Sequence, residues 1–145
     1  MNVQDLLDDF EFLDDWEDRY RYVIELGRQL DPLEPEDRSP ANKVNGCASQ
    51  VWLATKITSS KSTPNQPVLT FAGDSDAHIV RGLIAILFII FSGKPADEIA
   101  TLDVKEIFNR IGLDEHLSPQ RSNGLVSMVA RIKTDARNAL TTADF

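Results

Sequence analysis

Val44-Asn45-Gly46-Cys47-Ala48-Ser49-Gln50-Val51-Trp52 is the stretch at which the chain changes its hydrophobic period. Before it, apolar residues recur at helical spacing. From Gln50 to Thr58 the chain turns to β-branched and aromatic residues, the composition of a strand. Val68-Leu69-Thr70-Phe71-Ala72 reads as the return strand, with the polar segment from Ser59 to Pro67 as a loose hairpin connection. A short strand around Lys43–Asn45 would complete a small antiparallel sheet of about three strands. Helices lie on both sides of this sheet in sequence, so the expected fold class is α+β, with the sheet packed against helices.

Working outward on the N-terminal side, Leu6, Leu7, Phe10 and Leu13 give one apolar helix face over residues 3–13. Asp14 or Asp15 caps a second helix from Trp16, whose buried face carries Tyr20, Val23, Ile24, Gly27 and Leu30. Gly27 inside a helix points to a close approach by another element. Pro32, Pro35 and Pro40 end regular structure and form a loop that leads to the cysteine.

On the C-terminal side, Asp74 or Ser75 is placed to cap a helix over residues 76–91. That helix is apolar almost all round and should therefore be central and covered on all sides. Shorter helices follow over Pro95–Ala100 and Asp103–Ile111, the latter stopped by Gly112. Ser118 and Pro119 open a final helix to about residue 140, with Leu125, Met128, Val129 and Ile132 inward.

At 145 residues the chain reads as one domain, 1–145, long enough to bury a core without disulfides or metals. The net charge of −8 is lopsided: residues 1–37 hold 13 Asp and Glu against 3 Arg. That balance argues against nucleic acid as a partner. It fits solvated helix faces, or a surface that steers a basic protein. The longest apolar run, Leu83–Phe91, is nine residues, well short of the roughly 20 that a membrane helix needs. An acidic start is the wrong charge for a targeting segment, and a single cysteine suits a reducing compartment, so a cytoplasmic location is expected.

The chemistry-bearing residues are few. One Cys with His78 and His116 does not make a four-ligand zinc set, and one thiol does not make a cluster site within one chain. No glycine-rich phosphate loop and no nucleophile-elbow pattern occur. Cys47 remains. It follows a glycine in a polar turn, where a second molecule can approach the sulfur. Lys43 is the nearest cation in sequence and no helix begins at Cys47, so nothing local favours the thiolate. Such a thiol is a receiver, reacting when a partner supplies the setting.

Five motifs in order resemble the SufE family of sulfur acceptors: Trp16-Glu17-Asp18-Arg19-Tyr20 with Glu25-Leu26-Gly27; Asp37-Arg38-Ser39-Pro40; Val44-x-Gly46-Cys47-x-Ser49-Gln50-Val51-Trp52; Gly73-Asp74-Ser75-Asp76-Ala77 with Ile79, Val80, Gly82 and Leu83; and His116-Leu117-x-Pro119-x-Arg121-Ser122-x-Gly124-Leu125. A CsdE-type paralogue of the same family shares much of this pattern. The resemblance implies the fold shared with U-type cluster scaffolds. It also implies a function: taking a persulfide sulfur from a pyridoxal-phosphate cysteine desulfurase onto Cys47, stimulating that enzyme, and passing the sulfur on for iron–sulfur cluster assembly. The pyridoxal phosphate would belong to the desulfurase, and this chain would need no cofactor or metal and have no stand-alone activity. Partners would be the desulfurase, a downstream scaffold and, as a further candidate, a second copy of the chain.

Gly46, Ser49, Gln50, Asp76 and Arg121 are carried over as partner-binding candidates. Asp76 also reads as a helix N-cap, Arg121 as a first-turn surface cation, the two histidines as structural, and Trp52 as a core anchor. The competing reading is a binding module that activates a desulfurase without carrying sulfur. A thiol hydrolase would require a base beside Cys47.

Overall fold

The computed structural model describes residues 1–47, 49–59 and 67–143; the expected hairpin connection, residues 60–66, lies outside these. Helix α1 (Val3–Phe12) starts at a capping box, in which the Asn2 side chain and the Asp5 backbone and carboxylate bond reciprocally. Helix α2 (Trp16–Arg28) is capped by Asp15, whose carboxylate accepts from the Glu17 N–H at 2.9 Å. Both helices turn their apolar stripes inward, burying Leu6, Leu7 and Phe10 from the first and Val23 and Leu26 from the second. Two short 3-10 turns, Pro35–Asp37 and Pro40–Asn42, order the proline-rich loop.

Strands β1 (Val51–Ser59) and β2 (Pro67–Ser75) pair antiparallel with Val51 opposite Ser75. The third strand is β3 (Lys94–Pro95), which pairs antiparallel with Val68 and Leu69 and makes β2 the central strand. The expected strand at Lys43–Asn45 is therefore corrected to a single bridge between Lys43 and Trp52. Asn45 and Gly46 turn the chain away before a ladder can form, and β1 stays at the sheet edge. Pro95, expected to open a helix, closes β3 and is the residue before helix α4 (Ala96–Thr101). Its missing N–H is tolerated at an edge strand.

Helix α3 (His78–Phe91) is the centre of the core, with ten of its fourteen residues buried. It packs on β2 on one side and against α2 on the other. The α2–α3 crossing is made by two glycines: a Cβ on Gly27 would lie 2.6 Å from the Gly82 nitrogen, and one on Gly82 would lie 2.1 Å from the Val23 carbonyl oxygen. The expected close approach at Gly27 is thus to the middle of α3. Asp74 and Ser75 do not cap α3. The residue before the helix is Ala77, which has no side-chain cap, although the Ser75 Oγ accepts from the Ala77 N–H at 3.3 Å.

Helix α5 (Val104–Ile111) is capped by Asp103 and ends at Gly112 in the left-handed conformation, φ +76°, as its sequence expects. A one-turn helix α6 (Leu113–His116) follows, then α7 (Pro119–Ala143), with the Ser118 Oγ accepting from the Arg121 N–H. Leu125, Met128 and Ile132 of α7 are buried, and the helix packs on α4, both long strands and α3. Among the described residues no helix is long and apolar enough to cross a membrane.

Candidate functional site

The segment between the second 3-10 turn and β1 is a loop pinched at its base. The Val44 N–H donates to the Val51 carbonyl at 2.9 Å, beside the Lys43–Trp52 bridge. At its tip Gly46 has φ +91°, a conformation that L side chains rarely adopt, and a Cβ there would lie 2.6 Å from the Ser127 Oγ of α7. The backbone angle calls for glycine. This turn carries the next residue, Cys47, back onto α7.

Cys47 is half-buried. Its Sγ lies 3.7 Å from the Gly124 carbonyl oxygen, to which the S–H donates. Gly124 faces the sulfur closely: a Cβ there would stand in ordinary van der Waals contact with Sγ, at 3.5 Å. The sulfur faces a cleft of about 20 Å³ lined by Ser49 from the loop, Val80 and Leu83 from α3, and Gln120, Arg121, Gly124 and Met128 from α7. This is room for about one water-sized group. Burial pushes the thiol pKa up, because the low-dielectric walls disfavour the thiolate. The resting group is therefore a sheltered, neutral thiol, in line with the absence of a local activating charge in the sequence. Among the described residues its hydrogen bond is to Gly124 alone, and no histidine is within reach. His78 and His116 are exposed, and His116 stacks on Trp16 with ring centroids 4.0 Å apart.

The far end of the loop is tied by Asp76. Its Oδ1 accepts from the Gln50 N–H at 3.0 Å, and its own N–H donates to the Gln50 carbonyl at 3.4 Å. The N-cap reading of Asp76 is thus replaced: this carboxylate pins the cysteine loop to the β2–α3 junction. Asp74, next to it, collects two arginines. Arg38 donates to Oδ2, and Arg81 Nε lies 3.0 Å from Oδ1 as an ion pair without hydrogen-bond alignment. The Arg38 guanidinium also lies 5.0 Å over the Trp52 ring. Trp52 is half-exposed beneath that cation and is not the core anchor its composition suggests. The buried residues of β1 are Val51, Leu53 and Ala54.

Of the residues singled out in the sequence, Cys47, Ser49 and Arg121 line one cleft. Gly46 shapes the turn beside them, and Gln50 and Asp76 bond to each other at the loop's exit. Lys43, the nearest cation by sequence, does not line the cleft. Arg121 is exposed on α7, with its Nη1 donating to the Tyr20 hydroxyl. Tyr20 and Gly124, which the sequence offers only as motif or helix-face residues, and Ser127, which no motif marks, also belong to the site. A trace of the last two was present: Gln120, Gly124 and Ser127 recur at helical spacing with small residues where another chain segment can approach.

Comparison with known proteins shows the family. Residues 4–136 match the SufE family, described as an Fe-S metabolism associated domain. An uncharacterized SufE-like protein of Rhizobium etli is 61% identical over 136 residues, covering 94% of this chain and 90% of its own. Another, from Rhizobium meliloti, is 57% identical over 139 residues, with 96% and 97% covered. The solution structure of a hypothetical protein from Thermus thermophilus superposes with a TM-score of 0.74 over 96% of both chains, at 19% identity, and so shares the fold. From the matched domain and the two close relatives it follows that this chain belongs to the SufE family.

Proposed function

We propose that this protein accepts a sulfur atom on Cys47 from the persulfide of a cysteine desulfurase and hands it on for iron–sulfur cluster assembly. The observation that carries the reading is the one-atom-scale cleft in front of the half-buried Cys47 sulfur, on a loop tied at both ends. A thiol meant for open solution chemistry would not need such a shelter. A persulfide does, because stray thiols and oxidants remove it. Family membership supports a place in Fe–S metabolism.

The transfer is thiol exchange. The Cys47 thiolate attacks the outer sulfur of the desulfurase persulfide, a new sulfur–sulfur bond forms on Cys47, and the old one breaks. The desulfurase thiolate leaves and takes up the proton that Cys47 lost, so no oxidant is consumed. Chemistry on the amino acid stays with the partner and its pyridoxal phosphate. Since burial raises the Cys47 pKa, the loop must open or the partner must bring a positive charge before attack. Docking over exposed Gly46, Gln50, Asp76 and Arg121, with Ser49 beneath, would do this by competing for the Asp76–Gln50 pair. The reading fits a reducing compartment, the cytoplasm.

The test mixes the protein with a cysteine desulfurase and L-cysteine and reads intact mass. One added sulfur on wild type, none on Cys47→Ser, and loss of desulfurase stimulation by the serine variant are expected. Stimulation that survives Cys47→Ser at the wild-type level would overturn the sulfur-carrying reading in favour of a purely conformational activator.

A further inference from the structure

The mouth of the Cys47 cleft carries a charge that the sulfur at rest does not use. Of the residues lining the cleft, Arg121 is the charged one. Among the residues whose side chains the structure describes, no carboxylate lies within ion-pair distance of its guanidinium. Its partner is a neutral phenol: Nη1 donates to the Tyr20 hydroxyl, and the guanidinium carbon lies 5.9 Å from the Tyr20 ring centroid. Tyr20 is itself half-buried on α2 and packed against the core, so it is a fixed post. Charged groups on the neighbouring elements have partners of their own. Arg81 of α3 faces Asp74, Arg19 of α2 donates to the Leu13 carbonyl at 2.7 Å, and Asp76 holds the Gln50 N–H.

A phenol orients a guanidinium without cancelling its charge, which a carboxylate would do. We propose that Tyr20 is a positioning residue, holding Arg121 uncompensated at the cleft mouth to meet the negative terminal sulfur of a persulfide on Cys47. The proposal rests on the sulfur-acceptor reading above. The geometry separates the two states of Cys47. The resting sulfur points at the Gly124 carbonyl, an acceptor that suits S–H and repels S⁻. A terminal sulfur stands one bond, about 2 Å, beyond Sγ, in a cleft whose charged lining residue is Arg121. The arrangement therefore favours the anionic persulfide over the anionic thiol, keeping the empty protein quiet and the loaded one charged.

The test loads Cys47, the chain's single cysteine, with inorganic polysulfide, so that no desulfurase is involved. The thiolate attacks a polysulfide sulfur and releases a shorter polysulfide. Labelling of the persulfide by iodoacetamide is then followed against pH. Tyr20→Phe keeps the ring and removes the acceptor. Its persulfide labelling midpoint is expected to rise by about half to one pH unit, which is roughly three- to tenfold slower labelling below the midpoint. Arg121→Gln should rise at least as far, and the double variant should match Arg121→Gln, because Tyr20 acts through Arg121. The midpoint of the unloaded thiol should stay where it is in Tyr20→Phe. An unchanged persulfide midpoint, additive shifts, or equal shifts in thiol and persulfide would each overturn the proposal, the last by showing mere loosening of the loop. Should Tyr20→Phe fold poorly, Arg121→Lys keeps the charge without the planar fork. It should shift the midpoint part-way, and a wild-type midpoint there would overturn the proposal too. Failure of the desulfurase assay with success here would leave the Tyr20 assignment standing on its own.

Discussion

Gly124→Ala should make this protein more stable and worse at keeping sulfur. Gly124 lies inside α7, where alanine is favoured over glycine by about 1 kcal/mol. The added Cβ would find Cys47 Sγ at 3.5 Å, Cβ at 3.7 Å and Cα at 3.8 Å, all ordinary contacts, so α7 and the loop need not separate. Burying one methyl adds up to about 0.8 kcal/mol. The net gain is about 1–2 kcal/mol, a rise of roughly 2–8 °C in Tm for a chain of this size. The same methyl stands beside the sulfur in a cleft of about 20 Å³. With space for about one water-sized group, a methyl and a terminal sulfur cannot both fit. The persulfide is then held in solvent, and its half-life against a small thiol should fall by about tenfold, as loss of roughly 1.4 kcal/mol of shelter implies. Thermal unfolding gives the first number, and intact mass after polysulfide loading and a glutathione chase gives the second. A lower Tm would refute the spacing argument. A higher Tm with a persulfide as long-lived as wild type would refute the idea that the cleft shelters the sulfur.

Gly82→Ala should do the opposite to stability. A Cβ 2.1 Å from the Val23 carbonyl oxygen meets backbone and forces α2 off α3, at about 3 kcal/mol or more and roughly 6–12 °C in Tm; an unchanged Tm would show that the crossing relaxes freely. Asp76→Ala removes the acceptor for the Gln50 N–H. Iodoacetamide labelling of Cys47 should speed up by about threefold or more as the loop opens more often, and a rate at or below wild type would count against Asp76 as the tether. Burial raises the thiol pKa in the folded state above its unfolded value. Its contribution to stability is therefore present below the unfolded thiol's pKa and lost as pH rises through the folded value. Stability measured across the alkaline range should fall less steeply in Cys47→Ser than in wild type, and parallel curves would contradict the assignment.

Local signals carried much of the architecture. Asp15, Asp103, Gly112 and Ser118 sit at the helix ends their types favour, because caps are contacts within four residues and leave their mark in adjacent sequence. The apolar run of α3 announced a central helix. Signals failed where the competing partner is distant. Asp76 has the chemistry of an N-cap, yet its carboxylate goes to Gln50, 26 positions back. Trp52 has the composition of a core residue, yet Arg38 covers it from outside. The two-residue β3 has no pattern to detect, being held by the ladder of β2.

By itself the sequence determined a helix–sheet–helix order, a single thiol on a glycine turn, and the lack of any local charge to activate it. Those are properties of spacing and composition. Tertiary structure decided what surrounds that thiol: the Gly124 carbonyl, 77 residues away, and the Arg121–Tyr20 pair, 101 residues apart. Backbone periodicity cannot specify such contacts. They arise where α3 and α7 pack beside the Cys47 loop and α2 brings Tyr20 to Arg121, and that packing makes the Cys47 turn a sheltered cleft.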